Sequence, residues 1–253
     1  MGSIDSDFAG QTVIVTGAGS GIGRAAARLF AEAGAQVLGV GRRSDALAET
    51  ARAHPGIATF SADLCAENGP QSVVDEALRR WNRIDVLVNN AGSFAMLPLA
   101  ESTVAGISAQ YALNVVAPSM LAGAALKSLR ENKGTIVNVS STMGHRPAAG
   151  MAHYTAAKAA IEALTRSWAL ELAPEGIRVN AVAPGPTESE ALASAGLPAD
   201  AIERIRADEA ARIPLRRRGE PDEVATWIVR LADRHTSWLT GQVLTVDGGF
   251  ELI

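Results

Sequence analysis

The feature that most restricts the fold is a glycine-rich turn between a short strand and a helix near the start of the chain. Residues 12–15 (TVIV) are rich in β-branched side chains and predict a strand, and an Ala-rich segment ending near Gly34 predicts a helix. Between them, the glycines of TGAGSGIG (16–23) permit positive φ angles and let a ligand approach the backbone. The N–H groups and positive dipole end of the helix would then meet a pyrophosphate. The turn residues expected to contact it are Gly17, Ser20, Gly21, Ile22 and Gly23.

The same order of strand and helix recurs along the chain. Further strands are predicted at residues 36–40, 57–61, 85–88, 136–139, 178–183 and within 241–249. Regular alternation of strands and helices favours a parallel sheet with helices on both faces, which is a doubly wound α/β fold. Ligands of such folds bind outside the carboxyl ends of the strands. We therefore predict a single α/β domain over residues 1–253, without internal repeats.

A cluster of polar residues surrounds a helix predicted over residues 151–173. Tyr154 and Lys158 are one helical turn apart, so both side chains leave the same face and can act on one ligand. Ser141 follows the strand at 136–139 and therefore lies at the carboxyl edge of the sheet. A tyrosine hydroxyl has a pKa near ~10, and a neighbouring ammonium is expected to lower that pKa by favouring the phenolate. These residue types suggest proton transfer to or from a small ligand.

This pattern, Tyr154-x-x-x-Lys158 with a serine thirteen residues upstream, resembles the signature of the short-chain dehydrogenase/reductase family. The Gly-x-x-x-Gly-x-Gly form of the turn, Asn-Asn-Ala-Gly at 89–92 and Pro184-Gly185 after a strand are similar to that family too, and the likeness runs from Thr12 to Phe250. It implies a Rossmann-type fold and hydride transfer between a nicotinamide cofactor and a carbonyl or alcohol. It also implies a catalytic tetrad of Asn114, Ser141, Tyr154 and Lys158.

The resemblance implies further roles at the same edge. Lys158 is expected to bind the nicotinamide ribose, and Asn114 to anchor a water molecule to Lys158, although a satisfied polar residue in a buried helix would look the same in sequence. Either Thr187 or Ser189 is expected to bond the nicotinamide carboxamide. Asp63 is expected beside the adenine ring, and could equally cap its loop. The other expected cofactor contacts are Leu64, Asn90, Ala91, Gly92, Pro184 and Gly185.

The end of the second strand bears on which cofactor is used. An acidic residue at this place binds the ribose hydroxyls of NAD, whereas a small residue with a nearby arginine accommodates the 2′-phosphate of NADP. This chain has Gly41 there, followed by Arg42 as the preferred phosphate partner and Arg43 as a second one. The sequence therefore favours NADP(H) over NAD(H). The alternative is that both arginines only open a solvated loop.

Two kinds of carbonyl substrate are considered. A 3-oxoacyl thioester on a carrier protein would bring strong negative charge, which requires basic residues beside the active-site mouth. Family members that serve carriers often have an arginine where this chain has Glu175, and Lys127, Arg130 and Lys133 compensate only in part. A free small-molecule ketone is therefore favoured.

Two other functions are compatible with the same fold. A non-catalytic nucleotide-sensing protein would be expected to lack the tyrosine or the lysine, and this chain keeps both. A dehydratase or epimerase would need an added acid or base, for which His145 and His153 are the candidates. Lone histidines near the start of a helix are more often capping or surface groups, so hydride transfer remains the favoured reaction.

Composition limits the partners. A net charge of −4 at pH 7 argues against nucleic acid, and the basic run Arg216–Arg218 is interpreted as a solvated loop. Uninterrupted apolar stretches are too short to cross a bilayer, and no cleavable signal is recognised, so a cytoplasmic protein without a membrane partner is expected. Cys65 is the only cysteine and the four histidines are not closely spaced, so neither a disulfide nor a metal site is expected.

Two larger surfaces are also predicted. Residues 190–215 combine Ala and charged side chains with helix breakers, which is typical of a substrate lid containing a short helix. Helices predicted at 104–129 and 151–173 have Ala-rich faces that allow close approach. By resemblance, we expect these helices to pack against a symmetry mate in a homodimer or homotetramer.

Overall fold

The computed structural model describes residues 7–253, which contain one seven-stranded parallel sheet with the strand order β3-β2-β1-β4-β5-β6-β7. The order reverses between β1 and β4, and such a switch point creates a crevice at the carboxyl edge. The strands are β1 (Thr12–Thr16), β2 (Gln36–Gly41), β3 (Ile57–Ser61), β4 (Val86–Asn89), β5 (Thr135–Val139), β6 (Arg178–Pro184) and β7 (Val243–Val246).

Helices cover both faces of the sheet. On one face α1 and α9 pack through Ala26, Phe30 and Ile228 against Val13 and Val15. On the other face α3, α5 and α6 pack against side chains of opposite orientation, since successive residues of a strand point to opposite faces. The helices are α1 (Gly21–Glu32), α2 (Ser44–Ala51), α3 (Gly69–Trp81), α4 (Val104–Tyr111), α5 (Ala117–Asn132), α6 (Ala152–Leu172), α7 (Ala191–Ser194), α8 (Ala199–Arg212) and α9 (Pro221–Ala232).

The predicted fold class is confirmed, and the predicted strands lie within about two residues of the observed ones. Two helical regions differ from the prediction. The helix expected at 104–129 continues to Asn132 and contains a π-helical turn, Ala112–Val116, between α4 and α5. The region 190–215 contains two helices, α7 and α8, because Gly196 adopts a positive φ and Pro198 caps a new helix.

The stretch Val104–Asn132 is long and apolar enough to cross a membrane by length and composition, with a mean hydropathy of 1.3, although its uninterrupted apolar runs are short. One side of it is buried against the sheet through Leu121, Ala125 and Leu129. Its outer side exposes the apolar side chains of Val116 and Met120. The high hydropathy therefore reflects a buried core face together with an exposed apolar face.

Candidate active site

The four tetrad residues line one cavity of about 390 Å³ at the carboxyl edge of the sheet. Ser141 follows β5, Tyr154 and Lys158 project from the first two turns of α6, and Asn114 lies in the π-helical turn. Side chains that are separated by 4 to 44 positions in sequence therefore meet at the carboxyl end of β5. The structure brings together all four residues that the sequence analysis singled out for chemistry.

Burial dominates the acidity of Tyr154. Its side chain is half-buried, with the Phe94 ring packed edge-on at a centroid distance of 5.4 Å, and the Lys158 ammonium lies 5.8 Å from the Tyr154 ring centroid. Burial raises the pKa of Tyr154, and a hydrogen bond with Ser141 opposes this by lowering it. The expectation that Lys158 lowers this pKa below its ordinary value is therefore wrong. At neutral pH the phenol carries its proton and can act as a donor.

Lys158 is a buried ammonium with one direct partner. Its Nζ donates to the backbone oxygen of Val139 at 2.9 Å. Burial lowers the pKa of Lys158 to about 8, and the charge of Glu162, one turn further along α6, opposes that shift. A methyl group placed on Gly92 would lie 2.8 Å from Asn114 Oδ1 and 3.4 Å from Lys158 Nζ. Asn114 and Lys158 therefore converge on the backbone of the Asn-Asn-Ala-Gly segment.

The Asn114 side chain explains the π-helical turn around it. Its Nδ2 donates to the backbone oxygens of Gln110 and Ser93, both at 2.9 Å, and its Oδ1 accepts from the Ser93 N–H at 3.3 Å. The amide thus ties the helix to the segment that leaves β4. Single π-turns occur frequently at functional sites. These contacts also fit the plainer interpretation of Asn114 as a satisfied buried polar residue.

A groove of about 590 Å³ joins this cavity and runs over the glycine turn. Gly17 and Gly21 have φ angles of +69° and +49°, and a Cβ on Gly23 would lie 2.2 Å from the Gly17 oxygen. The turn therefore holds α1 tightly against β1. Within residues 7–253, the Ser20 side chain makes no capping hydrogen bond and the first turn of α1 has no acidic residue. Such an open helix start fits the phosphates of a dinucleotide.

The end of β4 is fixed to this turn. Thr16 Oγ1 accepts from the N–H groups of Asn90 and Ala91 at 3.0 Å and donates to Val88, and Asn90 Nδ2 donates to the Thr16 oxygen at 2.8 Å. Gly92 follows at the wall shared by the groove and the cavity. The predicted segment Asn90–Gly92 therefore lies where a nicotinamide ribose would pass from the groove to the cavity.

The ends of β2 and β3 form the outer part of the groove. Gly41 has no steric need for glycine, since an added Cβ would make only ordinary contacts of 3.5 Å with Leu47. Arg42 is exposed and forms no ion pair with any residue of 7–253, whereas Arg43 pairs with Glu190 across the groove at 2.6 Å. Asp63 accepts from the Cys65 N–H at 2.9 Å, which is the loop-capping contact, and Leu64 lines the groove.

The segment after β6 borders both spaces. Gly185 lies against Asp247, where an added Cβ would be 2.5 Å from the aspartate Cβ, so the close approach requires glycine. Thr187 lines the cavity alone and donates to the Gly185 oxygen at 2.9 Å, while Ser189 lines cavity and groove. Pro184 also lines the cavity. Ser189 is therefore the hydroxyl that reaches both the cofactor side and the substrate side.

The substrate side of the cavity is mainly apolar, but it contains a charged pair that the sequence analysis missed. The interpretation of Arg216–Arg218 as a solvated loop is wrong for Arg218, which is only 8% exposed and lines the cavity with Glu209 of α8. Arg216 and Arg217 do face solvent. Three consecutive arginines look alike in sequence, so the sequence alone could not show that Arg218 is buried. The apolar lining comes from Phe94, Met96, Met143, Met151, Leu192, Leu197 and Ile205.

A second polar cluster supports the turn that carries Ser141. His145 lies between two carboxylates, with Nδ1 3.2 Å from Glu162 Oε1 and Nε2 2.5 Å from Glu251 Oε2. Glu162 also accepts from Ser140 Oγ at 2.8 Å. Burial lowers the pKa of His145, but hydrogen bonds with Glu251 and Glu162 raise it, and the net shift is upward. His145 therefore joins the Ser141 turn to α6 and to the tail after β7. His153 instead contacts Ser102 at 3.2 Å, and neither histidine lines the cavity.

Comparison with known proteins gives an independent account of this arrangement. A family model described as enoyl-(acyl carrier protein) reductase matches residues 17–251. A cis-4-hydroxycyclohexanecarboxylate dehydrogenase of Sinomonas cyclohexanicum is 39% identical over 97% of this chain and 98% of that protein. The 3-oxoacyl-[acyl-carrier-protein] reductase FabG of Thermotoga maritima is 37% identical, over 95% of this chain and 97% of the reductase. An L-fucose dehydrogenase of Bos taurus is also 37% identical, over 97% and 91% of the two chains.

Solved structures of known proteins share the fold of this chain. A short-chain dehydrogenase/reductase from Caenorhabditis elegans, determined with its cofactor, superposes with a TM-score of 0.92 at 35% identity and covers 97% of each chain. A short-chain type dehydrogenase/reductase from Mycobacterium marinum has a TM-score of 0.89 at 31% identity, over 96% of each chain. The chain therefore belongs to the short-chain dehydrogenase/reductase family, whose members are oxidoreductases that use a nicotinamide cofactor and act on alcohol or ketone substrates.

Proposed function

We propose that this protein reduces a ketone of a free small molecule with NADPH, and in reverse oxidises the corresponding secondary alcohol. The observation that supports it most strongly is the convergence of Ser141, Tyr154 and Lys158 on one cavity wall, where that cavity joins the dinucleotide groove. When bound, the cofactor supplies the hydride. The protein must then supply a proton and hold the substrate oxygen.

Each side chain of the trio has a distinct part in this reaction. Reduction of a carbonyl leaves negative charge on its oxygen, and Tyr154 is a protonated acid in the cavity that can neutralise it. Ser141 donates a hydrogen bond to the same oxygen as the charge develops. Lys158 holds the cofactor ribose through its ammonium and replaces the proton of Tyr154 through water held by Asn114. Asn114 and Lys158 both lie against the backbone of Gly92, which supports this relay.

The preference for NADP(H) is supported at the end of β2. An acidic side chain would fit sterically at Gly41, so the backbone does not require glycine there. The lack of a side chain leaves space beside the end of β2. Arg42 is exposed at the edge of the groove and is not engaged by a carboxylate of residues 7–253. A guanidinium in this state can form charge-assisted hydrogen bonds with a 2′-phosphate. Arg43, which already pairs with Glu190, has the smaller part.

A free substrate is favoured over one carried on a protein. The cavity is lined by apolar side chains and reaches under the lid helix α8, which suits a compact molecule. Arg130 is paired with Glu175, and both lie at the amino edge of the sheet, opposite Tyr154 within the same subunit. These residues therefore give no basic patch at the cavity mouth of this subunit. Reduction of 3-oxoacyl thioesters, after the name of the T. maritima relative, is the second candidate.

The test of this function is Tyr154→Phe, which keeps the ring and removes the acid. With a reduced ketone identified from a panel, we expect kcat to fall by about 10²-fold to 10⁴-fold, the usual contribution of general acid catalysis, while NADPH binding stays close to wild type. Tyr111→Phe is the matched control, because Tyr111 ends α4 and does not line the cavity. Near-normal turnover by Tyr154→Phe, with chemistry rate-limiting, would reject Tyr154 as the acid. Lys158→Met should differ by weakening NADPH binding as well.

We also propose that the protein is a homodimer or homotetramer built on the outer faces of α4, α5 and α6. These helices expose Val104, Val116, Met120 and Leu170, of which Val104 and Leu170 are more than 80% exposed. Exposed apolar side chains on neighbouring helices are typical of an interface. Light scattering at micromolar concentration should give a multiple of 26.2 kDa, and a monomer would reject the proposal. The charged double substitution Val116→Glu/Met120→Glu should shift the mass towards that of a monomer.

A further inference from the structure

Besides Lys158, the residues that line the substrate cavity include one charged pair. Glu209 projects from α8 and Arg218 from the loop before α9, and their side chains are 25% and 6% exposed. Burying charges is costly unless they are paired and hydrogen-bonded. Apolar side chains at these positions would line the cavity without that cost. The pair therefore calls for an explanation beyond packing.

Arg218 is held by three residues on two segments, the stretch after β6 and α8. Its Nε lies 2.9 Å from Glu188 Oε1, its Nη2 donates to the Thr187 oxygen at 2.6 Å, and its Nη1 pairs with Glu209. Burial lowers the pKa of Arg218, and the charge of Glu188 opposes this. These contacts fix the guanidinium plane against the segment that follows β6. Arg218 is therefore a rigid, oriented group and not a mobile surface side chain.

The charges around Arg218 balance. Glu188 also approaches Arg206 at 3.4 Å, so the cluster consists of two guanidinium groups and two carboxylates. An anionic substrate arm would have to displace Glu209 or Glu188 from Arg218 to gain a charge partner. A cationic arm would meet the guanidinium at the same place. The cluster is therefore matched to a neutral group.

The unused hydrogen-bonding capacity defines that group. A guanidinium has five N–H donors and a carboxylate about four acceptor sites, and the contacts above use only part of each. These contacts engage one N–H on each Nη and one oxygen of Glu209, so one N–H on each Nη and Glu209 Oε1 are left for further hydrogen bonds. A hydroxyl group both donates and accepts, so it can bond to the carboxylate and to the guanidinium together.

We propose that Glu209 and Arg218 form the polar end of the substrate pocket and bind a hydroxyl group of a neutral, hydroxylated ketone or alcohol. This inference rests on the proposed function, since it assumes that the reacting carbon lies at Tyr154. The apolar residues between the two ends pack against the carbon skeleton of the substrate. The class of substrate is thus a small hydroxylated carbonyl compound, such as a sugar-like or cyclitol-like ring.

The test compares ketones that share one ring and differ in a distant substituent: cyclohexanone, 3- and 4-hydroxycyclohexanone, and 4-oxocyclohexanecarboxylate. For the wild type, kcat/KM with NADPH should be about tenfold or more higher for a hydroxylated ring than for cyclohexanone, the usual effect of one hydrogen bond to a charged group. The carboxylate should gain no such advantage. In Glu209→Leu the ratio between hydroxylated and plain ring should fall to near one.

A single substitution leaves Arg218 buried with one carboxylate fewer, so the double variant Glu209→Leu/Arg218→Leu is measured beside it, because removing both charges together is often tolerated. Glu203→Leu, on the exposed side of α8, is the matched control and should keep the wild-type ratio. Equal kcat/KM for plain and hydroxylated rings in the wild type, a preference for the carboxylate, or an unchanged ratio in both Glu209 variants would overturn the inference. Reduction of cyclohexanone that Tyr154→Phe abolishes would still uphold the proposed function, whereas no reduction of any ring would overturn both.

Discussion

The cofactor groove and the substrate cavity adjoin each other, but they are built differently. The groove is shaped by main chain: two left-handed glycines, a helix start and the end of β4, which hydrogen bonds between Thr16 and Asn90 tie to β1. The cavity is shaped mainly by side chains from several segments between Phe94 and Arg218, including helices α7 and α8. A backbone-built groove can change only if the fold changes, whereas a side-chain-built cavity can change residue by residue. This explains how relatives that are 36–39% identical to this chain can share the family and carry the names of different substrates.

The strongest test of this contrast is Gly23→Ala in the groove. The added methyl would lie 2.2 Å from the Gly17 oxygen and 2.4 Å from Asn90 Nδ2, and backbone atoms cannot move aside without shifting α1. We expect loss of about 1–3 kcal/mol or more of unfolding free energy together with loss of measurable NADPH binding. Thermal denaturation and fluorescence titration report the two effects. Gly19→Ala is the control, since the nearest atom to its methyl would be the Ala46 Cβ at 3.3 Å, with the closest main-chain atoms at 3.9 Å. Similar losses of stability and NADPH binding in the two variants would show that the backbone of the turn is not rigidly held.

A smaller effect is expected from Arg42→Ala, because it removes one exposed side chain and leaves the backbone intact. If Arg42 bonds the 2′-phosphate, the KM for NADPH should rise by roughly tenfold to a hundredfold, the range for a hydrogen bond to a charged group. The KM for NADH should stay nearly constant, and steady-state kinetics with both cofactors measures this. Arg43→Ala, which breaks the pair with Glu190, should change the ratio less. An equal rise in KM for both cofactors would contradict the preference for NADP(H).

The smallest expected effect is a pH dependence at the boundary of the two regions. Burial lowers the pKa of Lys158 to about 8, so its charged form decreases as the pH rises through that value. The rate of ketone reduction should fall by about twofold between pH 7 and pH 8 and more steeply above. In Glu162→Gln the inflection should move to lower pH, because the carboxylate that supports the charge is gone. Glu171→Gln, exposed on the same helix, should leave it in place.

The ionisation of Lys158 has opposite effects on activity and on stability as the pH rises. The pKa of Lys158 is about 8 in the folded protein and 10.5 ordinarily, so the unfolded chain binds this proton more tightly. Its contribution to the free energy of unfolding therefore increases as the pH rises from about 8 to about 10.5. Activity that falls over this window while the unfolding midpoint does not fall in parallel would assign the loss to Lys158. A common fall of both would point to general unfolding.

The contrast between the groove and the cavity also explains which parts of the site could be predicted from the sequence. The glycine turn, the ends of β4 and β6, and the pair Tyr154–Lys158 are local patterns whose geometry follows from backbone rules, and the structure has them where they were predicted. The direction of the Tyr154 pKa shift could not be predicted, because desolvation depends on Phe94 and other side chains that are far away in sequence. Burial of Arg218 depends on Glu188 and Glu209, which no spacing rule connects to it.

The order of strands has a consequence for how the chain folds. Each strand pairs with a strand of parallel direction, so in residues 7–253 no ladder closes through a tight hairpin. The strands that pair across the longest sequence separation are β1 and β4. Thr12 donates its N–H to Asp85, 73 positions later, and Val13 pairs with Val86. Until β4 has been synthesised, β1 keeps one open apolar edge on a partial sheet. Such edges recruit other chains, so slow synthesis at low temperature and the presence of chaperones should raise the yield of soluble protein.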